Sequence, residues 1–189
     1  MDDVGAVLYG PGEIAAAVER VAAAVTAGHP RGEPLVLLAV LKGAGPFAED
    51  LAAALAGRLT VERAALAVTS YGNSTRSSGK PRLVRDTTAS IEGKHVLIVE
   101  DIVEQGLTLR FVRDLLVRRR PASLRACALL DKPDARTVPV ELDYAGLTAP
   151  DAFIVGYGLD YQERYRNLPY LAALSRERET SGGLGNRNG

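Results

Sequence analysis

The chain has 189 residues and a single cysteine, Cys127. One cysteine excludes an internal disulfide and any cysteine-rich metal site. There is no run of about 18 or more apolar residues, the length needed to cross a bilayer as a helix. The opening, MDDVGAVLYG, is acidic and has no signal-peptide core, so a cytoplasmic location is expected. Neither charge is in surplus: 23 Lys and Arg stand against 23 Asp and Glu. Without a basic excess, no nucleic-acid partner is expected. No internal repeat is visible. What the chain does have is apolar mass, 47% of its residues, enough for the core of one domain.

The order of that mass predicts the architecture. Ile14, Val18, Val21 and Val25 fall on one helical face of residues 12–27. LVLLAVL, residues 35–41, is unbroken and short, as in a strand buried on both faces. A helix with Phe47, Leu51 and Leu55 on one face follows, then a strand over 60–69. HVLIV (95–99), ACALL (126–130) and AFIVGY (152–157) read as further strands, and a helix carries Leu107, Phe111 and Leu115. Strands alternating with amphipathic helices predict an α/β fold with a twisted, mostly parallel sheet flanked by helices. SYGNSTRSSGKPR, residues 70–82, is too polar to pack and reads as a long loop. The end, SGGLGNRNG, is expected to be disordered.

In such sheets ligands bind beyond the carboxyl ends of the strands. The segment VLIVEDIVEQGLTL, residues 96–109, therefore carries most of the chemistry. Its strand is expected to end in Glu100 and Asp101, and a short turn enters a helix through Gly106 and Thr108. Backbone amides at such a turn, with the positive end of the helix dipole, cradle phosphate. Carboxylates accept hydrogen bonds from vicinal diols and bind Mg²⁺. Phosphate, diol and metal together describe a phosphorylated ribose. His29 and His95 match no catalytic spacing and read as structural. Cys127 reads as an inert buried thiol. The cations Lys80, Arg82 and Arg85 read as a solvated face.

This segment resembles the phosphoribosyl-pyrophosphate signature of the type I phosphoribosyltransferases. The whole span from about residue 8 to residue 174 resembles their hypoxanthine-guanine branch, through VLKGAGPFAEDLA (40–52), SYGNSTRSSG (70–79), LLDKPDAR (129–136) and PDAFIVGYGLDYQERYRNLPYL (150–171). The resemblance implies the type I phosphoribosyltransferase fold with a small hood subdomain drawn from both ends of residues 1–175, leaving 176–189 as a tail. It implies transfer of the phosphoribosyl group of phosphoribosyl pyrophosphate to hypoxanthine or guanine. Lys42 and Gly43 would form a pyrophosphate loop with a non-proline cis peptide. Ser70 and Tyr71 would open a lid over 71–82. Glu100 and Asp101 would hold ribose hydroxyls and Mg²⁺, with Asp160 a third metal contact. Glu104, Gln105, Gly106, Leu107 and Thr108 would hold the 5′-phosphate. Lys132 would donate to the 6-oxo group, Phe153 would stack on the purine, and main chain near Ile154 and Asp160 would read its edge. Arg166 would meet the pyrophosphate. A homodimer or homotetramer is the family's usual state.

Taken singly, Lys132 reads as a solvated lysine, Phe153 as core, and Arg166 as a partner of Glu163. The ordered set of segments outweighs those readings. The signature also departs from the family's pattern: Glu104 stands where the catalytic aspartate is usual, and Gln105 where a small hydroxyl residue is usual. A displacement of about 1 Å can cost on the order of a hundredfold in rate. Ala44 replaces a common glycine, a milder change. Two alternatives thus accompany the salvage reading: transfer to a modified or deaza-purine, or a nucleotide-binding regulator with weakened catalysis.

Overall fold

The computed structural model describes residues 4–69 and 80–175. A six-stranded sheet runs through the middle. Its strands are β2 (Leu35–Leu41), β3 (Val61–Val68), β4 (Leu83–Arg85), β5 (His95–Val103), β6 (Ser123–Asp131) and β7 (Tyr144–Thr148), in the order β4-β3-β2-β5-β6-β7. All neighbours are parallel except β3 and β4. Helices α1 (Pro11–Gly28) and α2 (Gly45–Leu55) cover one face and α3 (Leu107–Val117) the other.

Strand β2 shows why the apolar run was legible. Leu35, Leu37 and Ala39 pack toward α1 and α2, while Val36, Leu38 and Val40 pack toward α3. Both faces are thus dry, and no polar residue interrupts the run. In α1, Ile14, Val18, Val21 and Val25 are all buried, as the spacing predicts.

Several expectations are corrected. Strand β5 does not stop before the acids: it runs to Val103, so Glu100 and Asp101 lie within it. The fully buried positions of α3 are Leu109, Val112 and Leu116, with Leu107, Phe111 and Leu115 only partly covered. AFIVGY yields only a two-residue strand, β8 (Ile154–Val155), and this lies outside the main sheet. It joins β1 (Val4–Tyr9) and β9 (Leu171–Leu174) in an antiparallel sheet of order β1-β9-β8. Most of the 70–82 loop, including Ser70 and Tyr71, and the tail 176–189 lie outside the described residues. The two ends of that loop are joined, with Thr69 N donating to Arg82 O (2.9 Å).

The strand order fixes where a ligand can sit. From β2 the chain moves one way to β3 and β4, and from β5 the other way to β6 and β7. The loops leaving β2 and β5 therefore diverge and open a crevice at the carboxyl edge, the usual ligand position in open α/β sheets. No helix among the described residues is long and apolar enough to cross a membrane.

Candidate active site

A cleft of about 510 Å³ opens at this crevice. Its floor is the end of β5 and the turn into α3, Glu100 to Leu109. One wall is the loop after β2, Val40 to Gly43, and the other comes from Phe153, Ile154 and the 159–166 segment. The structure thus gathers Lys42, Gly43, Glu100, Asp101, Glu104, Gln105, Gly106, Leu107, Thr108, Phe153, Ile154, Asp160 and Arg166 around one space. His29 and His95 lie elsewhere, with rings edge-to-face at 5.3 Å at the opposite end of β5. Cys127 is fully buried, and burial pushes its thiol well up, so it has no nucleophilic form to offer.

The two acids are under electrostatic pressure. Glu100 is 4% exposed, and its Oε1 has no hydrogen-bond partner. Burial, with the neighbouring Asp101 charge, raises its carboxyl well above the usual range. Burial likewise pushes Asp101 up to about 6, although hydrogen bonds from backbone amides and the Arg166 charge pull it down. Two adjacent carboxyls resisting ionisation, one with an orphaned oxygen, form a donor set suited to a hard cation. Among the described residues no three His, Cys, Asp or Glu side chains form a closed metal cage. An open pair is what Mg²⁺ uses, since it keeps waters and substrate phosphate oxygens in its shell.

The Asp101 shift has a measurable sign. Folding favours its protonated form, so that contribution to stability is full below the ordinary value of 3.8 and is lost as pH rises through about 6. Asp101→Asn should therefore melt above the parent at about pH 7.5 without added metal, and lose that advantage near pH 4. The same melting difference at both values would mean that Asp101 carries no ionisation penalty.

The turn that follows is built by its neighbours. Gly106 caps α3 with φ +85°, and a Cβ there would meet Val140 Cγ1 at 2.7 Å, so only glycine fits. The Gln105 carbonyl accepts from Thr137 N (3.1 Å) and Val138 N (3.3 Å). Arg136 donates to the carbonyls of Val103 and Glu104 and pairs with Asp131, tying the ends of β5 and β6 together. Sequence reasoning missed Arg136, because LLDKPDAR says nothing of where the arginine turns.

Lys132 also meets this turn. Its backbone N donates to Val103 O (3.0 Å). Its Nζ donates to Glu104 Oε1 (2.7 Å) and to Ala152 O (3.2 Å), with Asp151 Oδ1 at 3.9 Å. The side chain is 12% exposed, which sets aside its reading as a solvated lysine. Phe153 is 48% exposed, so it is not core; its ring stands edge-to-face with Tyr161 at 5.6 Å. Ile154 lies on β8, an edge strand with one row of peptide groups unpaired by the sheet.

Four charges close the mouth. Asp160 accepts from Arg166 Nη2 (2.7 Å) and from Glu163 N (2.8 Å). Glu163 spans Lys42 (2.9 Å) and Arg166 (3.1 Å). Arg166 does pair with Glu163, as its bland reading has it, but it also faces Asp160 and donates to Gly158 O (2.7 Å). The Leu41–Lys42 peptide is cis. Gly43 lies against Asp101, where a Cβ would land on the Asp101 carboxylate.

Comparison with known proteins agrees with this geometry. The family described as phosphoribosyl transferase domain matches residues 8–162. The bifunctional protein TilS/HprT of Listeria innocua is 43% identical over 93% of this chain, which spans about a quarter of that protein's length (27%). The hypoxanthine-guanine phosphoribosyltransferase of Bacillus subtilis is 43% identical over 91% of this chain and 94% of its own. Among solved structures, a hypoxanthine-guanine phosphoribosyltransferase from Bacillus anthracis superposes with TM-score 0.83 at 37% identity, covering 92% of this chain and 99% of that one.

Proposed function

The chain belongs to the phosphoribosyl transferase family, on its hypoxanthine-guanine branch, and from that premise we propose that it transfers the phosphoribosyl group of phosphoribosyl pyrophosphate to hypoxanthine or guanine. The products are IMP or GMP and pyrophosphate. One observation carries the reading: a buried glutamate beside a second acid, a turn into a helix N-terminus and an exposed aromatic ring meet in one cleft at the strand switch point.

Each group has a task. Amides from Glu104 to Thr108 hold the 5′-phosphate. Glu100 and Asp101 hold the ribose hydroxyls and, with Asp160, Mg²⁺. When bound, Mg²⁺ supplies Lewis-acid neutralisation of the pyrophosphate. Lys42 and the Gly43 loop grip the leaving group, and Arg166 stabilises the charge that builds on it. The bond from the anomeric carbon to pyrophosphate breaks, the bond to the purine nitrogen forms, and that nitrogen's proton passes to Glu104. Phe153 stacks on the base while β8 main chain reads its edge. Lys132 donates to the 6-oxo oxygen. The amino group of adenine mismatches that donor at a cost of about 1–3 kcal/mol.

A single catalytic unit spans residues 1–175, its hood drawn from both ends. It works in the cytoplasm as a homodimer or homotetramer, with phosphoribosyl pyrophosphate and a 6-oxopurine as its small-molecule partners and no nucleic acid.

Pyrophosphate release with Mg²⁺, phosphoribosyl pyrophosphate and single bases tests the reaction. Turnover is expected with hypoxanthine or guanine and about five- to 150-fold less with adenine. Turnover only with a deaza- or modified purine would redirect the substrate. Ligand binding without release would make the chain a nucleotide-binding regulator, with Glu104 and Gln105 as the departures responsible.

A further inference from the structure

Glu163 is the acid that nothing in the proposed reaction uses, yet it lines the cleft and touches both of its pyrophosphate cations. Its Oε2 meets Lys42 Nζ at 2.9 Å and its Oε1 meets Arg166 Nη2 at 3.1 Å. Those cations come from different walls, the loop after β2 and the segment after β8. One carboxylate thus bridges the cleft mouth with two oxygens to two cations, as a diphosphate would.

The turn that presents it is unusual. Gln162, Glu163 and Tyr165 all have left-handed backbone, with φ of 53°, 61° and 75°. Non-glycine residues adopt that region at a cost, and such residues cluster at functional sites. The turn is pinned by Glu163 N to Asp160 Oδ2 (2.8 Å) and by paired hydrogen bonds between Tyr161 and Arg164 (3.0 and 3.2 Å). The two cations hold the Glu163 carboxyl below its ordinary range, so it is ionised at neutral pH. Lys42 and Glu163 are both largely exposed, at 69% and 66% of their side chains. A pair so wet is weak and easily broken by a more highly charged competitor.

We propose that Glu163 is an internal counter-anion, which occupies Lys42 and Arg166 between turnovers and is displaced when pyrophosphate binds. It rests on the cleft being the pyrophosphate site. Glu163 thereby sets the affinity for pyrophosphate and its ribosyl ester and keeps product release from becoming too slow. Without it, Lys42 would lose its carboxylate and Arg166 would keep only Asp160, so the mouth would be more positive and would bind the released product more tightly.

Calorimetric titration of the full chain with Mg²⁺-pyrophosphate, and separately with IMP, tests this. Glu163→Gln keeps the length of the side chain and the backbone N–H to Asp160. It should bind pyrophosphate about three- to tenfold more tightly than the parent. IMP carries a 5′-phosphate but no pyrophosphate, and its affinity should stay within about twofold, which separates displacement from a general change of field. Glu163→Asp, too short to span both cations, should fall between the two. Equal or weaker pyrophosphate binding by Glu163→Gln overturns the proposal, as does an equal gain for both ligands. A parent chain that binds no pyrophosphate would instead overturn the reading of the cleft itself.

Discussion

Gly43→Ala is expected to lower kcat/KM for phosphoribosyl pyrophosphate on the order of a hundredfold, with the melting temperature nearly unchanged. The new methyl group would be placed on the Asp101 carboxylate. A side-chain carboxylate can swing aside, so the fold survives, but the acid proposed to hold the ribose hydroxyls is no longer where the sugar would need it. The Gly43 loop is also confined on its carbonyl side. Its carbonyl lies against Gly158 so closely that a Cβ on Gly158, already at φ +98°, would strike it. The loop is held between an acid and a neighbouring backbone. Steady-state kinetics and thermal melts on the same preparation decide the matter. Activity within about tenfold of the parent would show that Asp101 can bind ribose from a second position.

Loss of Lys132 should be at least as damaging. In Lys132→Ala the base loses its proposed donor to the 6-oxo oxygen, and Glu104 loses the ammonium 2.7 Å from its carboxylate. A missing preorganised donor at a reacting centre costs on the order of a hundred- to a thousandfold. That fall is expected in kcat/KM for hypoxanthine. The preference for hypoxanthine over adenine should shrink with it, because the group that distinguishes oxygen from an amino group has gone. Comparing the two bases separates recognition from general damage: an equal fall for both would assign Lys132 to holding Glu104 alone.

The sequence was readable where a residue's role is set by its immediate neighbours. Strand β2 declared itself because both of its faces are dry. The pairing of Glu100 with Asp101, and a glycine at the helix entry two residues after Glu104, could be recognised because cradle and acids are contiguous in the chain. Strands β1, β7 and β9 gave little sign, since VGAVLY, YAGLT and LAAL are short, partly exposed and rich in small residues. AFIVGY misled for the opposite reason: it is apolar enough for a strand of the main sheet, yet Ile154 and Val155 pair with β9 in the small sheet and Phe153 is left exposed. Glu163, Arg136 and Tyr161 were illegible as site residues. What brings Glu163 to Lys42 is a run of left-handed residues, and nothing in Tyr-Gln-Glu-Arg-Tyr marks them for it.

The small sheet has a consequence for how the molecule is assembled. Val4 pairs with Leu174 and Tyr9 with Leu171, so its first strand must wait for its last. Closing so long a span costs entropy that short-range contacts do not. The parallel sheet and the floor proposed to face the sugar can be in place while the ribosome is still making the remainder. The Phe153 carbonyl, however, accepts from Leu174 N (2.8 Å), so the platform for the base is fastened only once that strand emerges. On the proposed roles, a nascent chain can thus possess the means to hold an activated sugar before it has any means to choose what to join to it.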